Sequence, residues 1–237
     1  SDSVSCASSQ LKELTKKFGV KEEFIFDAPV GADLDKFNLG SGGNQIKEKY
    51  QILENERIVL YIGQLHGAQY VELLIKAANI ILQKCPGVKF MIVGEGFLEQ
   101  QLCKLVFDLG LGDKIIFTGA VNHNEIPFYI SSASVCVAPF KDTEVTRCKS
   151  PLKIVEYMAS SKAIVASNVG EVSKMLGGVG ILTAPGDYYD LAKGIIVLLA
   201  DINLCKNLGQ AARKRAEHKY NWSYTATNLL QAYNKIN

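Results

Sequence analysis

No run of this 237-residue sequence reaches the ~20 consecutive apolar residues that a membrane-spanning helix needs. Stretches such as GIIVLLA from Gly194 stop well short, which argues against a helical span and leaves a peripheral membrane contact open. Neither sign of charge dominates. With 26 Lys and Arg against 24 Asp and Glu the formal charge is +2, so nothing points to a nucleic-acid face or an acidic partner. The six cysteines, at positions 6, 85, 103, 136, 148 and 205, include no close pair of metal-binding type, and no cluster of His and carboxylates suggests a catalytic metal. They read as reduced thiols of a cytoplasmic protein. The G-x-G-x-x-G spacing is missing too, which weakens a dinucleotide-dependent oxidoreductase reading, and no internal repeat is visible.

What is present is regular. A composition of 48% hydrophobic and 21% charged residues suits a folded globular chain. After a strand-like SVSCAS, an amphipathic helix SQLKELTKKFGV closed by Gly19, and a Gly-rich linker candidate NLGSGGNQ, strands and helices alternate. RIVLYIG (Arg57 to Gly63) leads to a helix over about 69–83, and VKFMIVG (Val88 to Gly94) to one over about 98–109. KIIFTG, a short helix at EIPFYIS, SVCVAPF, a helix from Ser150, AIVAS, VGILTA and three helical stretches from Tyr188 complete the series. Near-continuous apolar strands separated by helices predict an α/β fold with a doubly wound, Rossmann-like parallel sheet. Ligands in such sheets gather at the carboxyl ends of the strands.

Three strand ends are therefore candidates. Gly63 and Gly67 in IGQLHG could let a phosphate approach the backbone, and VGEGFL exposes Glu95 on a tight turn that is also explained as a compact connection. In SPLKIVEYMASSKAIVAS, Ser150 is a good N-cap and Pro151 a good first helical residue, with Leu152, Val155 and Met158 or Ala159 as the buried stripe. Lys153 and Glu156 lie three apart on one flank. They are either a surface pair worth ~0.2–0.5 kcal/mol or part of a site. In the second case the N–H groups at Ser150 to Lys153 hold a diphosphate, Lys153 adds charge, and Glu156 accepts from ribose hydroxyls. His123 and His218 read as solvated positions, and His66 lies beside the first loop.

That helix, with LYIGQL, FMIVGEG, IIFTGAV, SVCVAPF and the closing YNWSYTATNLLQAYNKI, resembles the C-terminal, nucleotide-sugar-binding half of glycosyltransferase family four, retaining enzymes of GT-B fold. The resemblance runs from about Ile58 to the C-terminus. It implies three parts: residues 1–37 as a remnant of an otherwise missing N-terminal acceptor domain with its linker, 38–218 as the donor-binding domain, and 219–237 as a closing helix. The front end, with APVGADLDKF where the family usually has Pro-Asn-Gly-Val-Asp, fits that division. The resemblance implies sugar transfer from a nucleoside diphosphate sugar, of hexosyltransferase type, without a cofactor or metal, and little turnover by this portion alone. Self-association through the leading segment is a further expectation.

Carried over residue by residue, Glu156 matches the second of two family glutamates and falls on the donor ribose, while Cys148 stands where the first would be. Gln64 and Gln69 replace an arginine and a lysine that normally face the donor diphosphate. Glu171 replaces the second glycine of a pair beginning at Gly170, and Lys174 replaces an acid. Ala120 and Val121 match a base-contacting backbone. The resemblance thus implies a donor site of Gly63, Gln64, Gln69, Glu95, Val121, Ser150, Leu152, Lys153 and Glu156, with Lys153 and Glu156 nearest the chemistry. A non-catalytic GT-B-like binding or scaffold module is the alternative, because both cations are gone.

Overall fold

The computed structural model describes residues 3–38, 42–67 and 70–235. Two strands, β1 (Val4–Cys6) and β2 (Ile25–Asp27), pair in parallel around α1 (Ser9–Lys17). Helix α2 (Gly43–Lys49) then precedes a six-stranded sheet built from β3 (Arg57–Ile62), β4 (Val88–Val93), β5 (Ile115–Phe117), β6 (Val135–Ala138), β7 (Ile164–Ser167) and β8 (Ile181–Thr183). Between these strands run α3 (Glu72–Lys84), α4 (Glu99–Asp108), α5 (Ile126–Ser132), α6 (Glu144–Cys148), α7 (Leu152–Ala159) and α8 (Val172–Leu176). α9 (Tyr188–Ala200), α10 (Ile202–Lys219) and α11 (Trp222–Asn234) follow.

All pairings in the larger sheet are parallel, in the order β5-β4-β3-β6-β7-β8. The chain moves outward one way from β3, then returns and moves outward the other way from β6. This places a topological switch point between β3 and β6, where the loops diverge and leave a crevice. The expected doubly wound sheet is therefore present. Its strands are apolar throughout because both faces are covered. Ile58, Leu60 and Ile62 of β3 enter one core and Val59 and Tyr61 the other, each residue 8% exposed or less. Fully burying side chains of this kind contributes ~1.5–3 kcal/mol each.

The leading segment is not detached. Ala32 and Phe37 are buried in the core on the Ile58 face, the Ala32 N–H donates to the Tyr220 carbonyl at 2.9 Å, and Thr225 of α11 donates to the Pro29 carbonyl at 2.6 Å.

Several local expectations change. The end of the linker candidate is helical: Gly42, in the left-handed region at φ 77°, precedes α2, whose buried Ile46 explains the helix. Residues 39–41 of that stretch lie outside the described residues. Helix α3 begins at Glu72, later than its apolar pattern suggests, after Tyr70 at φ 51°. Ser150 does not cap α7. Pro151 takes the N-cap position at φ −71° and ψ 113°, no side chain caps the helix, and the Ser150 hydroxyl is buried without a partner among the described residues. Pro151 is itself extended, so the helix begins one residue later, at Leu152, and Ser150 stands one position short of the cap. Leu152 is 43% exposed and outside the stripe, whereas Lys153 through Ala159 are all buried. The five-residue helices α6 and α8 are too short to show a periodic pattern.

Candidate functional site

On the β4 side of the switch point lies an open cleft of about 610 Å³ at the carboxyl ends of the strands. Ile62, Gly63, Gln64 and His66 line it from the end of β3, Val93 to Gly96 from β4, and Ala120 and Val121 from the loop after β5. Four of the expected site residues, Gly63, Gln64, Glu95 and Val121, therefore meet in one cavity. Gln69 lies outside the described residues.

The β3 and β4 ends are laced by backbone. Leu65 N–H donates to the Glu95 carbonyl at 2.9 Å, Leu98 N–H to the Leu65 carbonyl at 3.1 Å, and Gly94 N–H to the Gly119 carbonyl at 3.0 Å. This close approach explains Gly94. Its φ of 133° disfavours any side chain, and a Cβ there would lie 2.1 Å from the Gly63 oxygen. Gln64 and Glu95 are exposed side chains on this wall, so the expected cation-bearing position presents a neutral amide.

Helix α7 packs against the β3 end of the cleft, at Ile62 and Gly63. It is tied to β3 by Tyr157, whose buried hydroxyl oxygen accepts the Ile62 N–H at 2.9 Å. Lys153 and Glu156 are not a surface pair: they are 9% and 5% exposed. The Lys153 ammonium lies 4.0 Å from the centre of the Tyr61 ring and 6.0 Å from that of Phe140, and it fills the space that a side chain at Gly63 would need. A desolvated cation over an aromatic face is held by ~2 kcal/mol or more. Even so, burial pulls the Lys153 pKa from 10.5 down to about 7, with nearby Lys149 adding to the fall and Glu156 opposing it. Burial also raises the Glu156 carboxyl above its usual range, against the opposing influence of His123, Lys36 and Lys153.

His123 departs from expectation. Its side chain is 60% exposed, yet its Nε2 lies 3.1 Å from Glu156 Oε1, so the loop after Val121 reaches back to α7. No sequence spacing links residues 123 and 156.

The Gly170–Lys174 stretch serves a different neighbour. Glu171, buried at 9% exposure, accepts from the Ser9 backbone N–H and hydroxyl at 2.9 Å each, and Lys174 also contacts the Ser9 hydroxyl. A carboxylate at the start of α1 satisfies amides that a helix leaves open and suits the positive end of its dipole. Ser8 donates to the Cys148 carbonyl at 2.8 Å, so Cys148 is part of the same junction. Leu152 and Ser150 stand at the start of α7, one exposed and one with its hydroxyl buried. Among the described residues no helix is long and apolar enough to cross a membrane.

Comparison with known proteins gives a consistent picture. The sequence model described as "Glycosyl transferases group 1" matches residues 43–215. Alpha-D-kanosaminyltransferase of Streptomyces kanamyceticus is 29% identical over 194 residues, covering 81% of this chain and 49% of that protein. Sucrose-phosphate synthase from Thermosynechococcus elongatus superimposes with a TM-score of 0.85 at 26% identity, over 100% of this chain and 58% of that one. Anabaena Alr3699/HepE, in complex with UDP and glucose, gives 0.86 at 21% identity, over 99% and 63%. The fold is thus that of GT-B glycosyltransferase structures. The chain spans about half the length of the curated relatives it matches.

Proposed function

Because this chain belongs to the glycosyl transferases group 1 family, we propose that it is the donor-binding half of a retaining glycosyltransferase that moves a hexosyl group from a nucleoside diphosphate sugar to an acceptor hydroxyl. The observation that carries this reading is a buried lysine and a buried carboxylate, one turn apart on α7, beside the β3 end of the cleft. Charges are not kept in such a place without a use that offsets their desolvation. The diphosphate lies against the first-turn amides of α7, which have no acceptor within the helix, with Lys153 supplying the cation that Gln64 does not. Glu156 accepts from the ribose hydroxyls, and the backbone at Ala120 and Val121 meets the base. In the reaction these groups stabilise charge on the departing diphosphate. The acceptor is held by a further domain, so this chain alone binds donor without acceptor-dependent turnover. That Anabaena HepE was solved with UDP and glucose supports a nucleotide ligand for this fold.

Calorimetry with uridine, guanosine and adenosine diphosphates on the parent and on Glu156→Gln tests the assignment. Losing hydrogen bonds to a charged acceptor weakens binding by ~1.5–3 kcal/mol, roughly ten- to hundredfold, while the fold is retained. Equal affinity of parent and variant removes Glu156 from the site. Absence of binding by the parent favours the second reading, a non-catalytic module, which the neutral Gln64 and Cys148 positions motivate.

A further inference from the structure

Three side chains from three separate stretches form a continuous hydrogen-bonded line that ends at Glu156. Lys36 Nζ lies 2.7 Å from His123 Nδ1, and His123 Nε2 lies 3.1 Å from Glu156 Oε1. An ammonium has only donors, so Nδ1 must accept from Lys36, the ring is neutral, and its one proton sits on Nε2. That proton is donated to the carboxylate. Neutral imidazole in water divides between two tautomers, and here the lysine selects one of them.

Lys36 is itself held on a braced turn. Asp33 Oδ1 accepts from the Asp35 and Lys36 N–H groups at 3.1 and 3.0 Å, and Lys36 also donates to Asn124 Oδ1 at 3.0 Å. Arg213 Nη1 donates to the Leu34 and Phe37 carbonyls at 3.2 and 2.7 Å and to that of Ala159, the last residue of α7. One guanidinium thus fastens the turn that carries Lys36 to the helix that carries Glu156. Phe37, 2% exposed, meets the His123 ring edge-on at 6.0 Å.

We propose that His123 and Lys36 are positioning residues for Glu156. Lys36 fixes the Nε2–H tautomer of His123, which holds Oε1 and leaves Oε2 directed to a ligand's vicinal hydroxyls. This rests on the assignment of Glu156 to the ribose, and it connects the turn at Asp33–Phe37 to donor affinity.

Two measurements separate the proposal from that assignment. Ring ¹⁵N shifts of the ligand-free protein near neutral pH show Nε2 protonated and Nδ1 bare for His123, its signals identified by their loss in His123→Gln; in Lys36→Met the Nδ1–H tautomer gains population, although Glu156 still accepts from Nε2–H, and an unchanged tautomer ratio there removes Lys36 from the relay. This result needs no ligand, so it judges the relay even where no diphosphate binds. In titrations with uridine, guanosine and adenosine diphosphates, His123→Leu weakens whichever the parent binds by about tenfold, the scale of one lost hydrogen-bonded contact. His123→Gln stays near the parent value, since its amide can supply the N–H. A parent His123 protonated mainly on Nδ1, or a His123→Leu variant that binds as tightly as the parent, overturns the proposal. Loss of affinity in Leu and Gln variants alike also overturns it, because a donor to Glu156 is then not what His123 supplies.

Discussion

The wall of the cleft formed by the ends of β3 and β4 consists of closely packed backbone with its charge, Glu95, exposed to solvent, whereas α7 holds two buried charges beside the β3 end. On the first wall Gly63, Gly94 and Gly96 let three segments approach so closely that a Cβ at Gly96 would lie 2.4 Å from the Leu65 oxygen. On the second, Lys153 and Glu156 sit among Tyr61, Phe140 and His123. The first wall is demanding above all in volume, because its backbone segments touch; the second is demanding above all in charge, because its ionisable groups are buried. Substitutions on the two walls should therefore fail in different ways.

The largest effect is expected from Gly94→Ala. The added methyl meets the Gly63 carbonyl and forces an L residue into φ 133°, at a cost on the order of 3 kcal/mol. At ~2–4 °C of melting temperature per kcal/mol, thermal unfolding should fall by roughly 6–12 °C. An unchanged melting temperature would break the contrast.

Lys153→Met should act through charge. Diphosphate affinity drops about tenfold or more, because a charge-assisted contact is lost. Stability moves the other way, with a defined pH dependence. The folded-state pKa is about 7 against 10.5 for the ordinary side chain, so below about pH 7 both states are protonated and the desolvation penalty is present in full. As pH rises from about 7 toward 10.5 the unfolded state binds the extra proton and the parent regains stability. Denaturant titrations across that range should therefore find the variant's advantage greatest at the acid end and fading upward. A gap that does not vary with pH would remove the buried ammonium from the comparison.

The smallest effect tests whether the backbone wall, which already exposes Glu95, can be given a cation. Gln64→Arg places a guanidinium on an exposed edge of the cleft and should tighten diphosphate binding by ~0.5–1 kcal/mol, a few-fold, with the gain fading at high salt. Calorimetry at two ionic strengths reads it. A tightening that persists at high salt would mean that this wall closes around its ligand more than its openness suggests.

Much of the fold was legible because buried parallel strands announce themselves as unbroken apolar runs: RIVLYI, VKFMIV and IVAS fall where the sheet has them. The candidate site was legible in part. The three strand ends were identifiable from topology alone, and Gly63, Gln64, Glu95 and Val121 do line one cleft. The structure denies Ser150 the cap and exposes Leu152, because local preference at an S-P-L start does not know which way the helix is buried. Sequence alone reads His123 as a solvated position and Glu171 as the replacement of a glycine. Each forms its decisive bond far along the chain, to residues 156 and 9.

The sequence by itself determined the order of strands and helices, the doubly wound class and the positions of the loops, since these follow from short-range periodicity and from the burial that apolar runs demand. Only the tertiary structure decided that Lys153 and Glu156 are buried, that Lys153 loses its proton near neutrality, and that Lys36 reaches Glu156 through His123. The physical reason is that desolvation and hydrogen-bond partnership are properties of a place in the folded molecule. Solvent exclusion at α7 is assembled from β3, the loop after β5 and the turn at residues 33–37, which are separated along the chain and brought together by packing alone.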